Sequence, residues 1–162
     1  MDADGEARVK TLVVYFSRKG YARRIAESIA AARKADLLQL RTPERTTGIP
    51  GFWWCGRFGM HRWPMALEEY AVDPAGYDRV VIVSPVWVFS ACAPVWAFCR
   101  REAGKVRAAE YVLLHFSPLP MRYPGTVRAL DATLGISHAA FRSIVCCWGH
   151  VLRDRTFNTR RI

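Results

Sequence analysis

The chain has 162 residues, 51% of them hydrophobic and 23% charged, a balance that suits one globular domain spanning 1–162 and excludes disordered, collagen-like and low-complexity chains. Its net charge of +10, from 24 basic and 14 acidic residues, favours anionic partners: phosphates, acidic proteins, nucleic acid or anionic lipid. The cations are scattered as pairs (Arg23-Arg24, Arg100-Arg101, Arg160-Arg161) rather than gathered into one tract, so neither nucleic acid nor a membrane is expected as a partner.

No apolar run reaches the 18 or so residues of a spanning helix. Asp2, Asp4 and Glu6 precede any apolar segment, unlike a secretory signal, so a cytoplasmic location is expected and residues 1–7 read as flexible. The five cysteines (Cys55, Cys92, Cys99, Cys146, Cys147) are odd in number and hold no C-x-x-C, which fits reduced core thiols. His61, His115, His138 and His150 are scattered, and no metal site is read from their spacing.

Val9 to Phe16 is a short run rich in β-branched and aromatic residues, a buried strand. Ser17-Arg18-Lys19-Gly20 breaks it, and Tyr21 to Lys34 shows Ile25, Ala26, Ile29 and Ala30 at helical spacing. Asp36 to Leu40 is a second strand, so the start of the chain is a βαβ unit with parallel strands. Residues 42–51 are turn-rich, and 52–62 reads as a helix stopped by Pro64. Its aromatic cluster, Trp53, Trp54, Phe58 and Trp63, has two readings: an inner face packed on the sheet, which is the simpler, or a lid or partner surface. Adjacent Trp53 and Trp54 cannot both face inward on one helix.

Tyr77 to Ser84 is the clearest strand, with a loop over 85–93 and a helix from Pro94 to about Ala103. Glu110 to Phe116 is a fourth strand, 117–125 a proline-rich loop, and Thr126 to Leu134 a helix closed by Gly135. Ala140 to Trp148 reads as a fifth strand, with a helical alternative left open. Residues 153–162 form a basic tail too short for a last helix, which would be truncated or missing and leave one sheet face for a second subunit to cover. The carboxyl ends of such strands carry the ligand site, here Ser17–Tyr21, Ser84–Ala93 and the loop from Ser117 to Pro124.

Two segments carry a resemblance: V-V-Y-F-S-R-K-G-Y-A-R-R-I-A-E-S-I-A (13–30), and D-P-A-G-Y-D-R-V-V-I-V-S-P-V-W-V-F-S-A-C-A-P-V (73–95), with its strand ending in Ser-Pro-x-Trp. With the elements between them they make the chain resemble the flavodoxin-like family over about residues 8–150. The resemblance implies an α/β fold: a doubly wound, five-stranded parallel sheet with helices on both faces. It also implies FMN, held for electron transfer or for reduction of a small acceptor, with a nicotinamide donor or an acidic redox protein as partner and a homodimer as one assembly. Ser17, Arg18, Lys19, Gly20, Tyr21 and Ala22 would form the phosphate loop. Ser84, Pro85, Val86, Trp87, Val88 and Phe89 would lie along the flavin ring with Trp87 stacked on it, and Ser117 and Tyr123 would supply the other side.

The chain departs from the family pattern at Lys19 and Ala22, where hydroxyl residues are usual, and Arg18 and Lys19 could replace them as point charges. Residues 89–92 hold no glycine, so a turned peptide beside the flavin would be costly, which favours two-electron over one-electron chemistry. Cys92, His115 and His150 read as structural rather than reactive. The alternative function is a flavodoxin-like fold without flavin, a basic module for an acidic protein or small anion.

Overall fold

A computed structural model describes residues 9–117 and 123–158. The elements run β1 (Thr11–Tyr15), α1 (Tyr21–Arg33), β2 (Asp36–Gln39), α2 (Gly48–His61), β3 (Arg79–Trp87), β4 (Ser90–Ala91), α3 (Ala93–Arg101), β5 (Ala109–His115), α4 (Pro124–Leu134), β6 (Ala140–Cys147) and β7 (His150–Asn158). Strands pair in the order β2-β1-β3-β5-β6-β7, with β4 hydrogen-bonded to β3 alone. β2, β1, β3, β5 and β6 are mutually parallel. The apolar run at 11–15 is buried throughout because a parallel strand is covered on both faces.

Alternation along the strands splits the core in two. Leu12, Val14, Val80, Ile82 and Leu113 face one way and meet Cys55 of α2, Phe98 of α3 and Leu130 of α4. Val13, Tyr15, Val81, Val83, Val112 and Ile144 face the other way and meet Ala22, Ala26 and Ile29 of α1. Helices therefore lie on both faces, three against one.

Two expectations are corrected. Residues 85–93 are not a loop: β3 runs on through Pro85 to Trp87 and folds back in a hairpin, Val86 pairing with Ala91 and Trp87 with Ser90. Residues 150–158, which take in the described part of the expected tail, are not a tail after a truncated helix either. They form β7, antiparallel to β6 after a turn at Trp148-Gly149, both of positive φ. Alternation drives this: Phe157 stacks on Phe141 at 4.7 Å while Arg142 pairs with Asp154 across the strands. Among the described residues the sheet thus has seven strands, not five. Beside α1 a groove of about 520 Å³ remains, and its charged residues are already paired, Arg33 with Glu110 and Arg142 with Asp154. Residues 1–7 and the last four of the expected tail lie outside the described residues. Among the described residues no helix is long and apolar enough to cross a membrane.

Candidate functional site

The carboxyl edge of the sheet collects the strained backbone. Lys34 and Arg62 are αL helix caps, but the other non-glycine residues of positive φ, Val88, Phe89, Tyr123 and Trp148, all lie in loops at that edge. Such conformations cost energy at residues bearing a Cβ, and cluster at functional sites. Val88 and Phe89 are the two central residues of the β3–β4 turn, a place where Asn-Gly is usual. Phe89 thus takes a positive φ although residues 89–92 hold no glycine. Thr126 Oγ1 donates to the Phe89 carbonyl at 3.0 Å and anchors the tip to the start of α4.

A cavity of about 380 Å³ opens at this edge, a volume within the range of about 300–1,000 Å³ usual for small-molecule sites. Of the expected residues, Arg18, Val86, Trp87, Val88, Phe89, Ser117 and Tyr123 line it. Phe52, Cys55 and Gly56 of α2 and His115 and Phe116 complete its wall. The walls are mostly apolar, so they suit a flat, conjugated ligand.

Trp87 lies deeper than a stacking residue would. Its indole is edge-on to Phe16 at 5.5 Å, and a Cβ built at Gly59 would lie 2.5 Å from the Trp87 carbonyl oxygen. Trp87 thus forms a floor wedged under α2, while the exposed aromatics at the mouth are Phe89 and Phe116. Ser84 is fully buried, and its hydroxyl accepts from the Cys92 N–H at 3.0 Å and donates to the Pro85 carbonyl. It shapes the β3–β4 connection and does not face the cavity. Ala22 is turned into the core beneath α1.

The β1–α1 loop adjoins the cavity through Arg18. Ser17 Oγ accepts from the Gly20 N–H at 2.9 Å, and Gly20 caps α1 with φ +88. No side chain caps the helix and no acidic residue stands in its first turn, so its leading N–H groups and positive dipole end suit an anion. Lys19 is exposed at this point and Arg24 lies over the Tyr21 ring. Arg18 behaves differently from expectation. Its guanidinium donates to the Thr46 carbonyl and, at 2.9 Å, to the Gly48 carbonyl, and it lies over the Phe52 ring. It ties the approach to α2 against the loop, and Lys19 is exposed beside it.

His115 is a buried polar residue of the wall. It is 7% exposed; Nε2 lies 2.8 Å from Ser143 Oγ and Nδ1 has no hydrogen-bond partner of ordinary geometry. Burial holds its pKa below the usual histidine value, partly offset by the Ser117 backbone. Burial therefore favours the neutral ring. Burial pushes the Cys92 thiol up to about 12 and the Cys55 thiol up to about 11, so both are protonated and neither is a nucleophile at neutral pH.

The sequence signal for His115 was its place at a strand end; nothing in the sequence pointed to Phe52, Cys55 and Gly56, which only the packing of α2 brings to the site. Pro85 and Tyr21 stand beside the cavity rather than in its wall. Residues 118–122 of the third expected loop lie outside the described residues.

Comparison with known proteins agrees with this geometry. No family model and no curated protein matches the chain. A crystal structure of a flavoprotein in complex with FMN from Lactobacillus acidophilus NCFM is similar over 85% of this chain and 92% of its own, with TM-score 0.67 and 16% identity. A crystal structure of a presumed flavoprotein from Bacteroides eggerthii DSM 20697 is similar over 83% and 86%, with TM-score 0.68 and 21% identity. The apo form of the Lactobacillus acidophilus NCFM flavoprotein, solved by NMR, is similar at TM-score 0.61. Sheet order, site position and these likenesses together give the chain the flavodoxin-like fold.

Proposed function

We propose that the chain binds FMN at the carboxyl edge of its sheet and serves as a small cytoplasmic oxidoreductase or electron carrier. One observation carries the reading: an apolar cavity and an uncapped helix N-terminus lie side by side where β1 and β3 part, the place where this sheet order holds its ligand. An isoalloxazine ring fits the first and a phosphate the second. The neighbour crystallised with FMN supports the choice of flavin.

In this reading the N–H groups at the start of α1, with Lys19, hold the phosphate. Val88, Phe89 and Phe116 shield the ring from water. His115, held in its neutral form by burial, forms part of the wall beside the ring. Bound flavin would supply the redox chemistry, and the protein binding and tuning. The donor is a nicotinamide or an acidic redox protein, the second matched by the chain's net charge of +10. The five cysteines are free thiols, as a reducing compartment keeps them.

Titration with FMN and with riboflavin tests the reading. Wild-type protein should quench both fluorophores. Lys19→Glu should weaken FMN at least about tenfold, since a hydrogen bond to a charged group is worth about 1.5–3 kcal/mol, and should leave riboflavin unchanged. Failure to bind either ligand overturns the cavity assignment. An equal loss for both ligands places the phosphate elsewhere.

A further inference from the structure

α2 is built inside out. Its fully buried residues are small, Gly51, Cys55 and Gly59, with Phe58 packed partly against the core. The face it turns outward holds Ile49, Phe52, Trp53 and Met60, which are 76%, 60%, 72% and 65% exposed. These residues, with Gly56 between them, fall at i, i+3, i+4, i+7 and i+11, a single stripe on a helix of 3.6 residues per turn. The stripe continues beyond the helix, because Gly56 meets the Val88 side chain at the exposed β3–β4 tip.

The charges in and next to it are mostly positive. Residues 45–67 contain Arg45, Arg57 and Arg62 and neither Asp nor Glu. Glu44, just before them, accepts a hydrogen bond from Trp54 Nε1 at 3.0 Å. All three arginines are exposed. Protein interfaces distribute about one hydrogen bond per 100–200 Å² through their area, and this stripe has no side-chain donor or acceptor other than the Trp53 indole N–H. An apolar face with tryptophan and phenylalanine, bordered by arginine, has the character of a helix lying in a bilayer interface.

We infer that α2 docks the protein on an anionic lipid surface, lying in its plane with Ile49, Trp53 and Met60 among the acyl chains and Arg45 and Arg57 on the headgroups. This departs from the expectation of a protein without a membrane partner. That expectation rested on the lack of a spanning segment and on scattered cations, and neither bears on a helix that lies flat. Phe52 and Gly56 belong both to the stripe and to the cavity wall, so docking would set the cavity mouth at the lipid boundary. The inference is independent of flavin.

The test is co-sedimentation of the full chain, with and without FMN, with vesicles of phosphatidylcholine containing about a third phosphatidylglycerol. Binding is expected, with a blue shift of tryptophan emission. Trp53→Gln/Met60→Gln should lower the partition coefficient at least about tenfold, from the loss of two buried apolar side chains. Arg45→Glu/Arg57→Glu should reduce binding to anionic vesicles and leave the weak binding to pure phosphatidylcholine unchanged. All four side chains are exposed, so circular dichroism should show each variant folded. No binding to anionic vesicles overturns the proposal, as does equal binding by the glutamine variant. Lipid-free protein that dimerises, and becomes monomeric in the glutamine variant, would instead assign the stripe to a second copy of the chain.

Discussion

At the scale of single residues, the site is marked by groups held in costly states. Val88 has φ +47, a conformation that a β-branched residue rarely adopts. Asparagine tolerates it, so Val88→Asn should raise stability by about 1 kcal/mol, read as a higher urea midpoint at unchanged slope. A midpoint that stays or falls would show that the turn stores no strain. His115 is costly in a different way. Its folded pKa lies below the unfolded value of about 6.5, so the unfolded state binds the proton more readily. Its contribution is therefore complete above about pH 6.5 and is lost as pH falls through that value toward the lower folded pKa. Urea unfolding of wild type and His115→Gln across this window should show a steeper acid-side loss in wild type; parallel curves would mean that the imidazole is not desolvated. The strand-end position of His115 was legible in the sequence, but its burial against Ser143 and Tyr123 was not, because those partners lie on β6 and at the start of α4.

At the scale of elements, α2 decides the shape of the site. The sequence placed a helix at 52–62 and the structure extends it to Gly48–His61. The simpler reading put the aromatic cluster on its inner face, and the structure divides it: Phe58 packs against the core, whereas Trp53 points outward and glycine points in. Trp87 already fills the space between helix and sheet, so only a residue without a side chain can sit above it at Gly59. Gly59→Ala would bring a Cβ to 2.5 Å from the Trp87 carbonyl, and the helix must lift. The expected outcome is a loss of about 1–3 kcal/mol and weaker binding of both FMN and riboflavin, because Phe52, Cys55 and Gly56 move with the helix. Unchanged stability in a denaturant titration would show that α2 is not seated on Trp87. Two further corrections belong to this scale. The β3–β4 hairpin and β7 both escaped the sequence reading because their turns, Val88-Phe89 and Trp148-Gly149, lack the paired turn residues that announce a hairpin.

At the scale of the whole molecule, local sequence determined the βαβ start, the buried parallel strands and the strand-loop-helix at 15–22. These depend on interactions between near neighbours: an apolar run of β-branched residues, a glycine at the break, and alanine and isoleucine at helical spacing. Sequence also pointed to the carboxyl edge, where the cavity opens, since strands joined by helices on both faces part there. Only the tertiary structure decided which side chains reach the cavity. Trp87 and Ser84 were expected beside a ligand, yet one became a floor and the other a buried hydrogen-bonding brace, because α2 and Cys92 close over them. Arg18 was expected on a phosphate, yet the Thr46 and Gly48 carbonyls, about thirty positions away in sequence, take its guanidinium. β7 closes the sheet in place of a last helix, through Phe157 on Phe141 and Asp154 beside Arg142. The division has one physical reason: periodicity records which face a residue turns to the core, whereas the identity of its neighbour depends on contacts between segments distant in sequence.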